Sequence, residues 1–235
     1  MSTLDIRWAD APYPPSRPRE IAVLGAAGRT GRLVVARALE RGHLVWALVR
    51  RTGSLTLTHP NLTAIVGDIF DPDVIGGIVQ GRDAVISLAA PDSERHTRFF
   101  YDSTTNVLRA MANNGIHRFL CVSACAAREA MPHPPGITGK LLSPIQRHRA
   151  RYIDMHMMEA LVSNSPTNFT IARVVALTEG TSGGSYQTTP DIPKGAKPIA
   201  RAILADFLVE TAFSDTHRRT ALVLTPAKMK EAPHT

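Results

Sequence analysis

The chain has little cysteine, few aromatic residues and no long hydrophobic run, and each shortage removes a class of protein. Cys121 and Cys125 are the only cysteines among 235 residues, too few for a disulfide framework or a zinc site. Both fall where a buried strand should run into its following loop, which predicts reduced thiols. No apolar stretch approaches the roughly 20 residues that span a bilayer. The N-terminus lacks the hydrophobic region of a signal peptide, so a cytoplasmic protein with no membrane partner is expected. Aromatic residues make up 6% of the chain and form no RNA-binding cluster, and no helix-turn-helix is recognisable. The net charge of +7 is therefore not read as a nucleic-acid footprint, because the basic residues are scattered from Arg29 to Arg219. Part of the excess is expected to serve an anionic cofactor, and the rest to be solvated surface.

What is present is one organising stretch, Glu20 to Val35. The run Ile21-Ala22-Val23-Leu24 is too short for a helix and ends in glycine, as a buried parallel strand does. After Gly31 the pattern turns helical, with Val34, Val35, Ala38 and Leu39 on one stripe. Between strand and helix lies Gly25-Ala26-Ala27-Gly28-Arg29-Thr30-Gly31. Gly25 permits a sharp turn, Gly28 admits a pyrophosphate to the backbone, and Gly31 lets the helix pack on the strand. The helix then directs its N-terminal N–H groups and positive dipole end at the phosphates.

The remaining segments alternate in the same way. Strands are predicted at Leu44–Val49, Leu62–Val66, Ala84–Ala90, His117–Ser123, Phe169–Val175 and Thr220–Leu224, and helices at Pro72–Val79, Arg98–Asn113, Arg147–Ser163 and Ile199–Ala212. This order implies an α/β fold, a doubly wound, mainly parallel sheet covered by helices on both faces in a single domain. The expected domain spans 19–227, preceded by a Pro-rich arm over 1–18 and followed by a tail over 228–235. Irregular loops near 126–146 and 178–198 emerge on the ligand edge of the sheet, where they could cover a substrate.

No Asp or Glu lies between Arg41 and Asp68, the interval in which a carboxylate would bind the ribose 2′-hydroxyl of NAD. Instead the second strand delivers Arg50 and Arg51, which suit a 2′-phosphate. NADP(H) is therefore expected over NAD(H). Asp68 serves either an adenine amino group or a helix cap or turn. Ser123 arrives at the carboxyl edge of the sheet, where it meets either the reacting centre or nearby backbone.

Taken in order, Gly25 to Gly31, Val49-Arg50-Arg51, Gly67-Asp68-Ile69, Asn114 to Phe119 and Cys121-Val122-Ser123 resemble the atypical short-chain dehydrogenase/reductase superfamily. The nearest branch is that of the NAD(P)H-binding proteins similar to biliverdin reductase B (flavin reductase) and to NmrA. The resemblance implies a Rossmann fold in which Gly25, Ala27, Gly28, Arg29 and Thr30 embrace the pyrophosphate and Arg50 with Arg51 the 2′-phosphate. It places Asp68 and Ile69 beside adenine, Leu88, Ala89 and Ala90 along the ribose path, and Ser123 beside the nicotinamide.

The chain also departs from that pattern. The Tyr-x-x-x-Lys pair of catalytic members reads Tyr152-Ile153-Asp154-Met155-His156, and aligned from the sixth strand the lysine position falls on Met155. Tyr152 and His156 share a helix face, so Tyr152 is a candidate proton donor tuned by His156; the alternative is an amphipathic helix with both partly exposed. The resulting expectation is an NADPH-dependent oxidoreductase acting on a flat conjugated or aromatic acceptor such as a flavin, quinone, tetrapyrrole or polyketide-like molecule. An NmrA-like sensor that binds NADP(H) without turnover, and a non-redox isomerase, dehydratase or cyclase, are the alternatives. Oligomeric state is left open by the sequence.

Overall fold

The computed structural model describes residues 18–91, 97–129, 143–180 and 184–227. The C-terminal tail, nearly all of the Pro-rich arm, the middle of the first expected loop and residues 181–183 of the second lie outside the described residues.

Ten strands and six helices follow in the order β1 (Glu20–Leu24), α1 (Arg29–Glu40), β2 (Leu44–Val49), β3 (Leu62–Val66), α2 (Pro72–Val79), β4 (Ala84–Ser87), α3 (Phe99–Asn113) and β5 (Arg118–Ala124). The chain continues through α4 (Cys125–Glu129), α5 (Ser143–Ser163), β6 (Asn168–Val174), β7 (Leu177–Thr178), β8 (Tyr186–Thr189), β9 (Ile199–Ala200), α6 (Arg201–Ala212) and β10 (Thr220–Pro226). Eight strands form one sheet in the order β3-β2-β1-β4-β5-β6-β10-β8, all parallel except β8, which runs antiparallel to β10. The winding reverses between β1 and β4. Open α/β sheets bind ligands in the crevice at the carboxyl ends of such a pair.

Alternation along each buried strand divides the core in two. Ile21 and Val23 of β1 face the layer holding Val34, Val35 and Ala38 of α1 and Leu204 and Leu208 of α6. Ala22 and Leu24 face the opposite layer, with Ile75 of α2, Val107 and Met111 of α3, and Met158 and Val162 of α5. The predicted Rossmann architecture is therefore the observed one.

Four local expectations are corrected. β4 ends at Ser87 rather than Ala90: β1 turns away at Gly25, so Leu88, whose N–H donates to Leu24 at 2.8 Å, is the last residue tied to it. The second loop contains β8, a short edge strand of polar, half-buried residues that carries no apolar alternation to read. The first loop begins as α4 and ends where α5 starts at Ser143. Ile199 and Ala200 pair with β7 as β9, so α6 begins only at Arg201.

Buried polar groups tie α1 and α6 together. Asp206 of α6 lies 3.0 Å from Arg37 and 3.4 Å from Arg41, and burial holds its carboxyl above the usual range in spite of both guanidiniums. At the end of α1, His43 packs on Phe213 with ring centroids 4.5 Å apart. Burial, and then the charges of Arg41 and Arg19, push its imidazole from 6.5 to about 4. The unfolded chain thus binds a proton that the folded protein refuses. Stability is fully present above about pH 6.5 and falls as pH drops from there towards 4, by up to about 3 kcal/mol. Urea unfolding should show this loss in the native protein, and His43→Gln should flatten the slope across that window.

Candidate functional site

The crevice between β1 and β4 is shaped by backbone approach. Gly25 has φ of +79°, and a Cβ there would stand 2.7 Å from the backbone of Leu88 and Ala89. A Cβ at Gly31 would fall 2.2 Å from the Gly25 carbonyl oxygen. That carbonyl also accepts the Gly28 N–H at 3.0 Å, closing the turn, and the Gly28 carbonyl accepts Arg32 N–H at 2.9 Å to begin the helix. Helix α1 begins at Arg29, two residues before Gly31, which sits within the first turn as a packing position. Gly28 offers no side-chain cap, and no acidic residue lies in that turn. The leading N–H groups therefore present an electropositive end suited to a phosphate.

Above the turn opens a cavity of about 700 Å³ with Gly25, Ala27 and Gly28 along its floor. Leu88, Ala89 and Ala90 form one wall, Asp68, Ile69 and Phe70 another, and Arg32, Arg50, Arg51 and Ser54 one end. This volume lies within the range of small-molecule and cofactor pockets. Ten of the expected cofactor positions, from Gly25 to Ala90, are brought together in it. Its dimensions, its glycine floor and its cationic end fit a dinucleotide.

Asp68 accepts the Phe70 N–H at 3.0 Å, so its turn role has a partner in the structure. The cap of α2 is Asp71, which accepts from Asp73 and Val74 at 2.9 and 3.3 Å. Asn106 donates to the Ile69 carbonyl at 2.8 Å, and Phe70 meets Phe99 edge-on with centroids 5.4 Å apart. These contacts fix an apolar, partly aromatic wall.

Arg32 was not singled out from the sequence. Its Nε donates to the Ala27 carbonyl at 3.0 Å and its Nη2 to the Ser54 carbonyl at 2.8 Å, joining the glycine turn to the loop that carries Arg50 and Arg51. The Ser54 carbonyl lies 22 residues away in the chain, and no sequence signal links the two. Arg29, by contrast, does not line the cavity. Its guanidinium is 3.3 Å from Glu179, whose carboxylate also accepts from buried Arg201 at 2.7 Å. Thr30 likewise stands in the helix outside the cavity wall.

Ser123, Tyr152 and His156 do not line this cavity. Ser123 is 2% exposed, and its Oγ has no hydrogen-bond partner among the described residues. Tyr152 and His156 are half-buried on α5, with the His156 Nδ1 also lacking a partner. On that helix the sequence also gave no warning of Glu159, which forms a two-toothed ion pair with Arg173 of β6. The Arg173 Nε lies 3.1 Å from both carboxylate oxygens and Nη2 is 2.6 Å from one. Asp154 points the other way and accepts the Phe100 and Tyr101 N–H groups at 2.8 and 3.0 Å, capping α3. Burial raises its carboxyl above the ordinary range, against the pull of those two bonds. Burial likewise pushes the Cys121 thiol far up, leaving no thiolate for chemistry.

The family model described as NAD(P)H-binding matches residues 25–215. A 3β-hydroxysteroid dehydrogenase/Δ5→4-isomerase of Mycobacterium tuberculosis is 34% identical over 116 residues, which cover 44% of this chain and 31% of that protein. The chain thus spans about a third of the length of the curated relative it matches. A short-chain dehydrogenase/reductase of Veillonella parvula, solved with NADP, superposes with a TM-score of 0.69 at 17% identity, covering 88% of this chain and 94% of that one. ChuY, an anaerobillin reductase of Escherichia coli O157:H7, gives 0.71 at 18% identity, covering 91% and 100%. At these identities the two structures bear on the fold. The match from the glycine turn to the loop before β10 shows that the chain belongs to the NAD(P)H-binding family.

Proposed function

We propose that the protein is an NADPH-dependent oxidoreductase that reduces a flat conjugated acceptor. The observation that carries this reading is that Arg32, Arg50 and Arg51 all line the cavity, with no carboxylate in the β2–β3 interval. Three guanidiniums match a 2′-phosphate, and a carboxylate there would repel it. The bound dinucleotide supplies hydride; the chain supplies orientation and electrostatics. The α1 N-terminus and the floor at Gly28 hold the pyrophosphate, the wall from Leu88 to Ala90 guides the ribose, and Ile69 and Phe70 receive the base. The similarity to ChuY supports a tetrapyrrole or another flat molecule as acceptor, with solvent completing protonation. A second reading, a sensor that binds NADP(H) without turnover, draws on Met155 at the expected lysine position.

Titration with NADPH and NADH, followed by addition of free flavin, menadione or biliverdin while nicotinamide absorbance is recorded, tests the reading. Tight NADPH binding and oxidation by one acceptor are expected. Binding without oxidation by any of them favours the sensor. Replacing Arg50 and Arg51 together with alanine should weaken NADPH binding about 10- to 100-fold, the worth of one or two charge-assisted hydrogen bonds, and leave NADH within about twofold. An equal loss for both nucleotides would remove the 2′-phosphate assignment.

A further inference from the structure

We propose that the free edge of β3 is a homodimer interface, where the strand pairs antiparallel with β3 of a second copy across a two-fold axis beside Ala64. The inference stands apart from the reductase reading.

β3 ends the sheet and is paired on one side only, with β2. In that ladder the Asn61 carbonyl accepts the Val45 N–H at 2.8 Å, and the Gly67 N–H donates to the Val49 carbonyl at 3.0 Å. A strand turns its backbone groups alternately to either side, so residues 61, 63, 65 and 67 address β2. Leu62, Ala64 and Val66 therefore address the open edge. The Leu62 N–H is already spent on the His59 carbonyl at 3.0 Å. What remains is the N–H groups of Ala64 and Val66 and the carbonyls of Leu62, Ala64 and Val66, with no backbone partner among the described residues.

Edge strands are ordinarily guarded by charge, proline or a bulge. β3 has none of these: its 5 residues are uncharged and proline-free, and its register with β2 runs unbroken from Leu62 to Val66. From Thr52 to Gly67 the chain contains no Asp, Glu, Lys or Arg, although 20% of all its residues are charged. Depletion of charge marks the core of a protein interface. The β2–β3 connection forms no helix to shield this flank. Ala64 and Val66 lie exposed on the face they share with Leu62, Val66 to 51%.

The backbone of the edge selects its own copy as occupant. In an antiparallel register centred on Ala64, the N–H and carbonyl of that residue exchange bonds with Ala64 of the second copy. Each Val66 N–H meets the Leu62 carbonyl of the other copy. Every open donor finds an acceptor, and the donor that a further bond would need, the Leu62 N–H, is the one already used. The side chains agree with this pairing: Val66 stands across from Leu62 and Thr63 from Ile65, and no like charges meet along the strand. An isologous contact of this kind closes at two copies. An edge of 5 residues belongs with the small, weak interfaces, and the expected dimer Kd is on the order of 10 μM.

Sedimentation velocity of the full chain from about 1 to 200 μM should show monomer passing to dimer, with no larger species. Val66→Lys sets a charge across from Leu62, and Ala64→Pro deletes the central donor while sparing the bonds to β2. Each should weaken the dimer at least 20-fold, to a Kd above about 200 μM, with thermal unfolding recorded to show an intact fold. Val66→Lys changes an exposed side chain and carries the test alone if Ala64→Pro unfolds. Ala64→Cys should form an interchain disulfide under mild oxidation, because residues paired this way stand about 5.5 Å apart between Cα atoms, and adding Val66→Lys should suppress it. A chain that stays monomeric over the whole range overturns the proposal. A dimer indifferent to Val66→Lys also overturns it, by placing the interface elsewhere. A dimer that appears only after removal of residues 1–17 would assign the edge to the chain's own N-terminal segment and overturn the second copy as its occupant.

Discussion

Gly25→Ala is expected to abolish measurable NADPH binding and to lower the unfolding free energy by about 2–5 kcal/mol. Two costs add. The backbone at φ +79° asks an L-residue to adopt the left-handed region, worth about 1–2 kcal/mol. The new methyl would also stand 2.7 Å from the Leu88 and Ala89 backbone, which no rotamer change can relieve, and overpacking of this kind costs about 1–3 kcal/mol. Relief requires β4 and the glycine turn to separate, and that movement deforms the floor and one wall of the cavity together. Gly42→Ala is the control: its φ is +76°, but nothing lies within 4 Å of the added carbon. It should cost only the backbone share, about 1 kcal/mol, and bind NADPH normally. Thermal unfolding and fluorescence titration of both variants separate strain from collision, and native affinity in Gly25→Ala would refute this account of the turn.

Removing one member of the Glu159–Arg173 pair should have an effect of similar size for a different reason. The two side chains are 6% and 13% exposed, and the pair is bidentate. Glu159→Ala strands a guanidinium between α5 and β6, and the expected loss is about 3–5 kcal/mol. Replacing both with apolar residues of similar volume, Glu159→Leu with Arg173→Met, should recover much of the stability, since neither charge is then left buried alone. Denaturant unfolding of the two single variants and the double one measures the coupling. Additive losses would mean that each residue is held by something other than its partner.

The contrast between these sites shows how far the sequence was legible. The glycine turn is local: strand, turn and helix start lie within a dozen residues, and steric and dipole arguments act at that range. β2, β3 and α2 were read with their observed ends because apolar runs and Pro72 mark them. β8 was missed because an edge strand has no buried face to impose a pattern. Arg29, expected on the pyrophosphate, also meets Glu179, a residue 150 positions away that no local rule would select.

The sequence by itself determined the alternation of elements, the parallel sheet, the glycine turn and the absence of acid beside Arg50 and Arg51. These follow from periodicity, glycine spacing and composition, all of which act between near neighbours. Tertiary structure alone decided that Arg32 reaches the Ser54 loop, that Ser123 is buried with no partner among the described residues, and that Glu159 holds Arg173. Each joins side chains that are distant in the chain and adjacent only once the sheet is wound and α5 is packed on it, because side-chain pairing depends on register and layer packing.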